Sequence, residues 1–180
     1  PAAEQYAALI GYPVLLKAAL GGGGKGMRRV EEAATFSTAW AEVTRIGKHL
    51  FGDSTVVVEK YITAPRHIEV QIVGDGQTTL HLFDRECSVQ RNNQKIIEEA
   101  PATNLSPELR SRLWLDAVTL AQNLRYTTVG TVEFIVTADG RYYFLEMNTR
   151  LQVEHAVTEK VTGLDLVALQ LMVAQGGHLS

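Results

Sequence analysis

The chain has 180 residues, with 17 lysines and arginines against 20 aspartates and glutamates, and 46% hydrophobic residues. That length can bury a domain-sized core, and a charged fraction of 21% excludes wholesale disorder. A net charge of -3 excludes nucleic-acid binding by global charge, the single Cys87 excludes an internal disulfide, and no apolar run is long enough to span a membrane. The chain opens on Pro1 with no methionine or basic-then-apolar leader and stops at Ser180 after Gly176-Gly177. It is expected to be cut from a longer protein.

Residues 2–10 read as an alanine-rich helix halted by Gly11-Tyr12-Pro13, and Val14-Leu15-Leu16-Lys17-Ala18 as a buried strand with a lysine inside it. Gly21-Gly22-Gly23-Gly24-Lys25-Gly26 continues no regular element. A helical period runs from 31 to 51 through Phe36, Trp40, Val43 and Leu50, and residues 56–61 give a strand. Residues 67–73 alternate, with Ile68, Val70 and Ile72 on one face and His67, Glu69 and Gln71 on the other. Asp75-Gly76 marks a hairpin into residues 80–83. Ser106-Pro107 starts a helix whose face is Leu109, Leu113, Ala117, Leu120 and Leu124. Residues 131–136 and 142–147 flank Ala138-Asp139-Gly140 as a second hairpin, and a last helix begins near Asp165. Hairpins mixed with helices predict an α+β fold with antiparallel sheets. The expected split is a small glycine-loop subdomain over about 12–60 and a larger one over about 61–180.

Three stretches carry candidate chemistry. The glycine run matches a dinucleotide fingerprint formally, but Met27-Arg28-Arg29-Val30 opens no helix, and Lys25 precedes glycine where a P-loop needs Ser or Thr. What remains is either a surface turn or a flexible flap whose amides close over phosphates, with Lys17 adding positive charge. In an extended chain, Glu146, Asn148, Arg150, Gln152 and Glu154 share one face. Two carboxylates and an amide suit magnesium, and Arg150 suits an anion, which favours a functional strand over a merely solvated one. Glu133 on the partner strand shares that face if the hairpin loop has four residues, 137–140, and is separated from it by a three-residue loop. Taken alone, Glu133 reads as an outward-facing glutamate. Residues 85–95 show no period and read as a donor-rich loop, with Lys95 a snorkelling surface lysine on local sequence and Cys87 a small buried hydrophobe.

Together these residues resemble a known family. Residues 12–19 leading into the glycine run, and Phe144-Leu145-Glu146-Met147-Asn148-Thr149-Arg150-Leu151, resemble the two ATP-binding signatures of carbamoyl-phosphate-synthetase-type ATP-grasp enzymes. Glu59-Lys60-Tyr61, Pro65-Arg66-His67-Ile68-Glu69-Val70-Gln71, Cys87-Ser88-Val89-Gln90-Arg91, Gln94-Lys95, Glu98-Glu99-Ala100-Pro101 and Arg150-Leu151-Gln152-Val153-Glu154-His155 narrow the resemblance to biotin carboxylase. That is the ATP-grasp component of biotin-dependent carboxylases, including the acetyl-CoA carboxylase of fatty acid biosynthesis and propionyl-CoA carboxylase. The resemblance implies an ATP-grasp fold and carboxylation of biotin by bicarbonate through carboxyphosphate.

It further implies that ATP meets Lys17, the flap Gly21, Gly22, Gly23, Gly24, Lys25 and Gly26, the hinge Glu59, Lys60 and Ile62, and His67, Gln90 and Asn93. Glu133, Glu146 and Asn148 would hold magnesium or manganese. Lys95, Arg150, Gln152, Val153 and Glu154 would surround bicarbonate, with Glu154 the base and Arg150 also steadying the biotin enolate. The implied partners are a biotin carboxyl carrier and a carboxyltransferase, with no nucleic acid and no membrane. The implied parent is a homo-oligomer or part of a larger complex, in the cytoplasm or the mitochondrial matrix. Leu20, Lys25, Asn93 and Ala156 depart from the residues usual in the family. Flanking domains with further active-site groups lie outside the chain, so the isolated chain is expected to turn over poorly. The competing readings are another ATP-grasp ligase and a non-catalytic nucleotide-binding module.

Overall fold

The computed structural model describes residues 2–21 and 26–179, so the expectations for Gly22, Gly23, Gly24 and Lys25 lie outside the described residues. The chain forms two units, residues 1–63 with 92–94, and residues 64–91 with 95–180.

The first unit contains α1 (Ala2–Ile10), β1 (Val14–Ala18), β2 (Met27–Val30), a 3-10 turn (Ala33–Thr35), α2 (Phe36–Phe51) and β3 (Val56–Lys60). Its sheet has the order β2-β1-β3, with both pairings antiparallel. Strand alternation turns Val14, Leu16 and Ala18 inward, where they pack with Ala7 of α1, Val30 of β2 and Phe36, Ala39 and Val43 of α2. Lys17 points the other way and is half-buried. The helix expected from residue 31 starts at Phe36, after the 3-10 turn. It ends on Gly52 at φ 73°, a left-handed stop that glycine adopts without strain.

The second unit contains β4 (Arg66–Asp75), β5 (Thr79–Arg91), β6 (Gln94–Glu99), α3 (Pro107–Asn123), β7 (Thr127–Val136), β8 (Tyr142–Asn148), α4 (His155–Thr162) and α5 (Leu166–Ala174). The sheet order is β6-β5-β4-β7-β8. α3 begins where the sequence places it: Ser106 Oγ accepts from the Leu109 amide at 3.2 Å, with Pro107 at the first turn. Leu109, Leu113, Ala117 and Ala121 of α3 cover Ile68, Val70, Ile72, Val132, Phe134 and Val136. Burying a side chain such as Leu113 or Ile68 contributes about 1.5–3 kcal/mol. Leu124, expected on that face, is 61% exposed because the helix ends before it, and Ala121 fills the place.

The other face of this sheet is graded. β4 and β7 oppose Val73 to Val129, Gln71 to Thr131 and Glu69 to Glu133. Val73 and Val129 pack with Leu82 under Leu166 of α5. The next pair is polar and the last is charged, yet all four of those side chains are buried.

Two bulges place further residues on this face. β5 carries an extra residue against β4 between the Val70 and Ile72 pairings, where Phe83 has φ 66°. Residues expected as a loop, 85–91, are therefore strand: the bulge breaks the alternation that would have revealed it. Asn92 and Asn93 then form a tight two-residue turn, at φ 52° and 61°. The second bulge lies between the Glu133 and Phe134 pairings of β7 with β8. The hairpin loop has only three residues, because the Thr137 amide donates to Arg141 O at 2.8 Å. A three-residue loop was expected to separate Glu133 from Glu146; the bulge at Leu145 restores them as register partners. The strand ends at Asn148, so the extended face expected through Glu154 stops there. Glu154 is instead the residue before α4, a helix that the sequence reading passed over.

Candidate functional site

The charged end of the second sheet face gathers around Lys95 on β6. Its ammonium donates to Glu69 Oε2 at 2.5 Å, Glu133 Oε1 at 2.8 Å and Glu154 Oε1 at 2.6 Å. The Lys95 side chain is only 16% exposed, which overturns its reading as a surface lysine. Glu133, read alone as outward-facing, is 4% exposed. Its Oε1 also accepts from Asn148 Nδ2 at 2.9 Å and Gln152 Nε2 at 3.0 Å.

His67 Nε2 lies 2.9 Å from Glu133 Oε2, close enough for an ion pair but off the angle of a hydrogen bond. The Gln90 amide is 2.9 Å from His67 Nδ1; with the amide donating there, the ring proton sits on Nε2, facing Glu133.

Burial would push these carboxylates up in pKa, but their partners win. The Glu133 carboxyl is lowered to about 2: desolvation opposes the change, and His67 and Lys95 more than offset it. Glu154 is also lowered, chiefly by Lys95 against its own burial. Burial would lower Lys95, yet the charge of Glu69 and the bonds to Glu133 and Glu154 raise it above the ordinary lysine value. Cys87 is buried as expected, and burial first, then Glu69, pushes its thiol up, which favours the protonated thiol over the thiolate.

Two carboxylate groupings converge here, His67 with Glu69 and Glu133, and Glu69 with Cys87 and Glu154. Lys95 already occupies their centre, so neither is read as a cation site. The expected magnesium ligands fit better at the sheet edge. Glu133 and Glu146 are register partners, and the Asn148 amide lies between them, 2.9 Å from one carboxylate and 3.4 Å from the other. This is an all-oxygen donor set once the amide turns its carbonyl inward, as a hard cation requires.

Arg150 is exposed and donates to Leu151 O at 3.3 Å. Val153 is 93% exposed, whereas its neighbour Gln152 is buried. In the first unit, Lys60 Nζ donates to Gly11 O and Tyr12 O at 2.8 and 3.1 Å, so it braces the α1–β1 turn. Glu59 lies beside it on β3, Ile62 follows that strand, Lys17 lies on β1, and Gly21 and Gly26 flank the residues outside the description. Asn93 has its place in the β5–β6 turn.

Sequence reasoning gave no role to Glu69, Gln71, Arg85, Thr131 or Thr158, all of them buried. The signal for the first two was present, a carboxylate and an amide inside an otherwise Val/Ile strand. α4 and α5, which bury that face, were not both foreseen.

Residues 2–180 match the family model of the carbamoyl-phosphate synthase L chain, ATP binding domain. Pyruvate carboxylase of Bacillus subtilis is 50% identical over 179 residues, covering 99% of this chain and 16% of that protein. The mitochondrial methylcrotonoyl-CoA carboxylase subunit alpha of Glycine max is 55% identical over 172 residues, covering 94% of this chain and 24% of that protein. The biotin carboxylase of Campylobacter jejuni, solved as a β,γ-ATP complex, superposes with a TM-score of 0.94 at 47% identity, over 98% of this chain and 40% of that one. The biotin carboxylase domain of Hydrogenobacter thermophilus 2-oxoglutarate carboxylase, solved with MgADP and bicarbonate, gives 0.92 at 44% identity, over 98% and 39%. The chain thus spans well under half the length of these relatives. It has the ATP-grasp fold of the biotin carboxylase structures, and it belongs to the family of the carbamoyl-phosphate synthase L chain ATP-binding domain.

Proposed function

We propose that the chain is the ATP-binding part of a biotin carboxylase, which uses ATP and bicarbonate to carboxylate biotin through carboxyphosphate. The observation that carries this reading is the Lys95 ammonium held by Glu69, Glu133 and Glu154 at the charged end of a buried sheet face.

Glu154 stays a carboxylate because Lys95 lowers its pKa against burial, so it is available as a base throughout the neutral range. Bicarbonate entering beside Lys95 exchanges one anionic partner of the ammonium for another. Glu154 then takes the bicarbonate hydroxyl proton as an oxygen of the same anion bonds to the γ-phosphorus and the bond to ADP breaks. Lys95 steadies the negative charge throughout. Gln152, fixed on Glu133, lines this position, and Arg150 and the backbone at Val153 serve the outer side, where biotin arrives. Glu133, Glu146 and Asn148 would hold magnesium or manganese, which supplies positive charge to the phosphates. Lys17, Glu59, Lys60, Ile62, Asn93 and the glycine run take the nucleotide contacts in this reading, together with His67 and Gln90. The carboxylated biotin, carried on a carrier domain, passes to a carboxyltransferase that chooses the final acceptor; pyruvate and methylcrotonoyl-CoA are the acceptors named for the relatives.

The test is to exchange this chain for the matching portion of the Campylobacter jejuni biotin carboxylase and assay ATP cleavage with bicarbonate. Stimulation by free biotin, abolished by Glu154→Gln, is the expected result. Cleavage indifferent to biotin overturns the proposal and points to another ATP-grasp ligase; an absence of cleavage points to a nucleotide-binding module.

A further inference from the structure

Beneath the Lys95 cluster lies a buried cation that the chemistry above does not use. Arg85, on β5, has no exposed surface. Its Nε donates to Glu69 Oε1 at 2.6 Å, and its Nη1 to Gln71 Oε1 and to Thr158 Oγ1, both at 2.7 Å. Nη2 reaches Thr131 Oγ1 at 3.4 Å. Two of these partners lead to the reacting groups. Glu69 gives its other oxygen to the Lys95 ammonium. Thr158 lies on α4 one turn beyond Glu154, the residue from which that helix starts.

We propose that Arg85 is a positioning residue for the Lys95–Glu154 pair. It holds the pair at both ends: Lys95 through Glu69, and Glu154 through the seating of α4 on the sheet. The functional part of this inference rests on reading that pair as the bicarbonate site.

The residue type fits the task. A guanidinium is a planar fork with five donors and matches several acceptors at fixed angles, whereas a lysine has three donors on one nitrogen. Removal from water is costly unless every partner is in place, so the arrangement is rigid once formed. The backbone supports the same conclusion independently. Regular alternation would send Leu82 and Arg85 to opposite faces; the bulge, with Phe83 at φ 66°, sends both to the α4–α5 face. A bulky aromatic in the left-handed region is strained, and such strain persists where it aims a side chain.

Two variants in the exchanged carboxylase test this. Thr158→Val removes only the link to α4 and keeps the side-chain volume; Arg85→Lys keeps the charge and loses the fork. Displacing a catalytic pair by about an ångström costs about 100-fold in rate, so Arg85→Lys is expected to lower kcat/KM for bicarbonate by about that factor. Thr158→Val is expected to lower it by about tenfold, and the KM for ATP should stay as in the parent for both. A purely structural role would instead reduce the ATP and bicarbonate parameters together, or leave both unchanged while stability falls; either result overturns the proposal. Should Arg85→Lys fail to fold, Thr158→Val decides alone.

A second readout is independent of the carboxylase reading. The hydrogen-bonded Lys95 ammonium should give a slowly exchanging ¹⁵N signal in the 180-residue chain, lost in Arg85→Lys and kept in Thr158→Val. Persistence of that signal in a folded Arg85→Lys protein overturns the proposal. If the exchanged enzyme shows no bicarbonate-dependent cleavage, the functional reading fails and this signal still decides the positioning role.

Discussion

The two units solve the same folding problem with opposite interiors. Among the described residues, every side chain buried in the first unit is apolar, from Val14, Leu16 and Ala18 of β1 to Phe36 and Val43 of α2. The second unit buries a largely apolar face under α3, interrupted by Asp84, which bonds to Arg110, Trp114 and the Ala102 amide, and on its other face Glu69, Gln71, Arg85, Thr131, Glu133, Gln152 and Thr158. Apolar burial is non-directional and tolerates exchange of similar volumes; buried charge is stable only when each donor meets its acceptor. The first interior therefore specifies a shape, and the second specifies the positions of individual atoms. Chemistry needs the latter.

Removing Lys95 should break this comparison most severely. Lys95→Met leaves three carboxylates facing one another, two of them buried, and is expected to destabilise the protein by about 3–5 kcal/mol in urea unfolding, with ATP cleavage lost. A cost no larger than that of Lys17→Met, at a half-buried lysine in the first unit, would show that the cluster is not the keystone of its unit.

Leu16→Ala should cost about 3 kcal/mol as a cavity in the apolar interior. A cost near zero in the same urea unfolding would contradict its burial in that interior.

Acid should act on the second interior through Glu133. Its folded value of about 2 lies below the ordinary 4.5, so its contribution is complete above 4.5 and is lost as pH falls through 2. Glu133→Gln should flatten the fall in melting temperature across that window, and an unchanged slope would contradict the pairing.

The smallest effect on stability is expected for Glu146→Gln, because Glu146 is exposed. The magnesium needed for half-maximal ATP cleavage by the exchanged enzyme should still rise several-fold. An unchanged requirement would remove Glu146 from the metal site.

Much of the fold was legible because period and punctuation coincide. α1, β1 and α3 follow from an alanine-rich run, an apolar run before the glycines, and a serine cap before proline. Legibility failed where one inserted residue breaks a period. The bulge at Phe83 disguised strand 85–91 as a loop, and the bulge at Leu145 made a three-residue hairpin behave, for Glu133 and Glu146, as a longer one would. For the site, strand alternation placed Glu146, Asn148 and Glu154 on one face and left Glu133 open, while the family resemblance assigned Glu133, Glu146 and Asn148 to magnesium and Glu154 to bicarbonate; the structure pairs Glu133 with Glu146 and ends the strand at Asn148. Local sequence alone misread Lys95 and Glu133, since burial under α4 and α5 is a property of distant chain. Arg85 was invisible for the same reason: its partners come from β4, β7 and α4.

Lys95 acts as a permanently charged hub, and the ¹³Cε shift of that side chain against pH reads this directly. In the folded chain Lys95 is expected to stay protonated beyond the ordinary lysine value of 10.5 and to release its proton only as the protein unfolds. A folded protein in which Lys95 titrates at or below 10.5 would contradict the three-carboxylate cage and the site built on it.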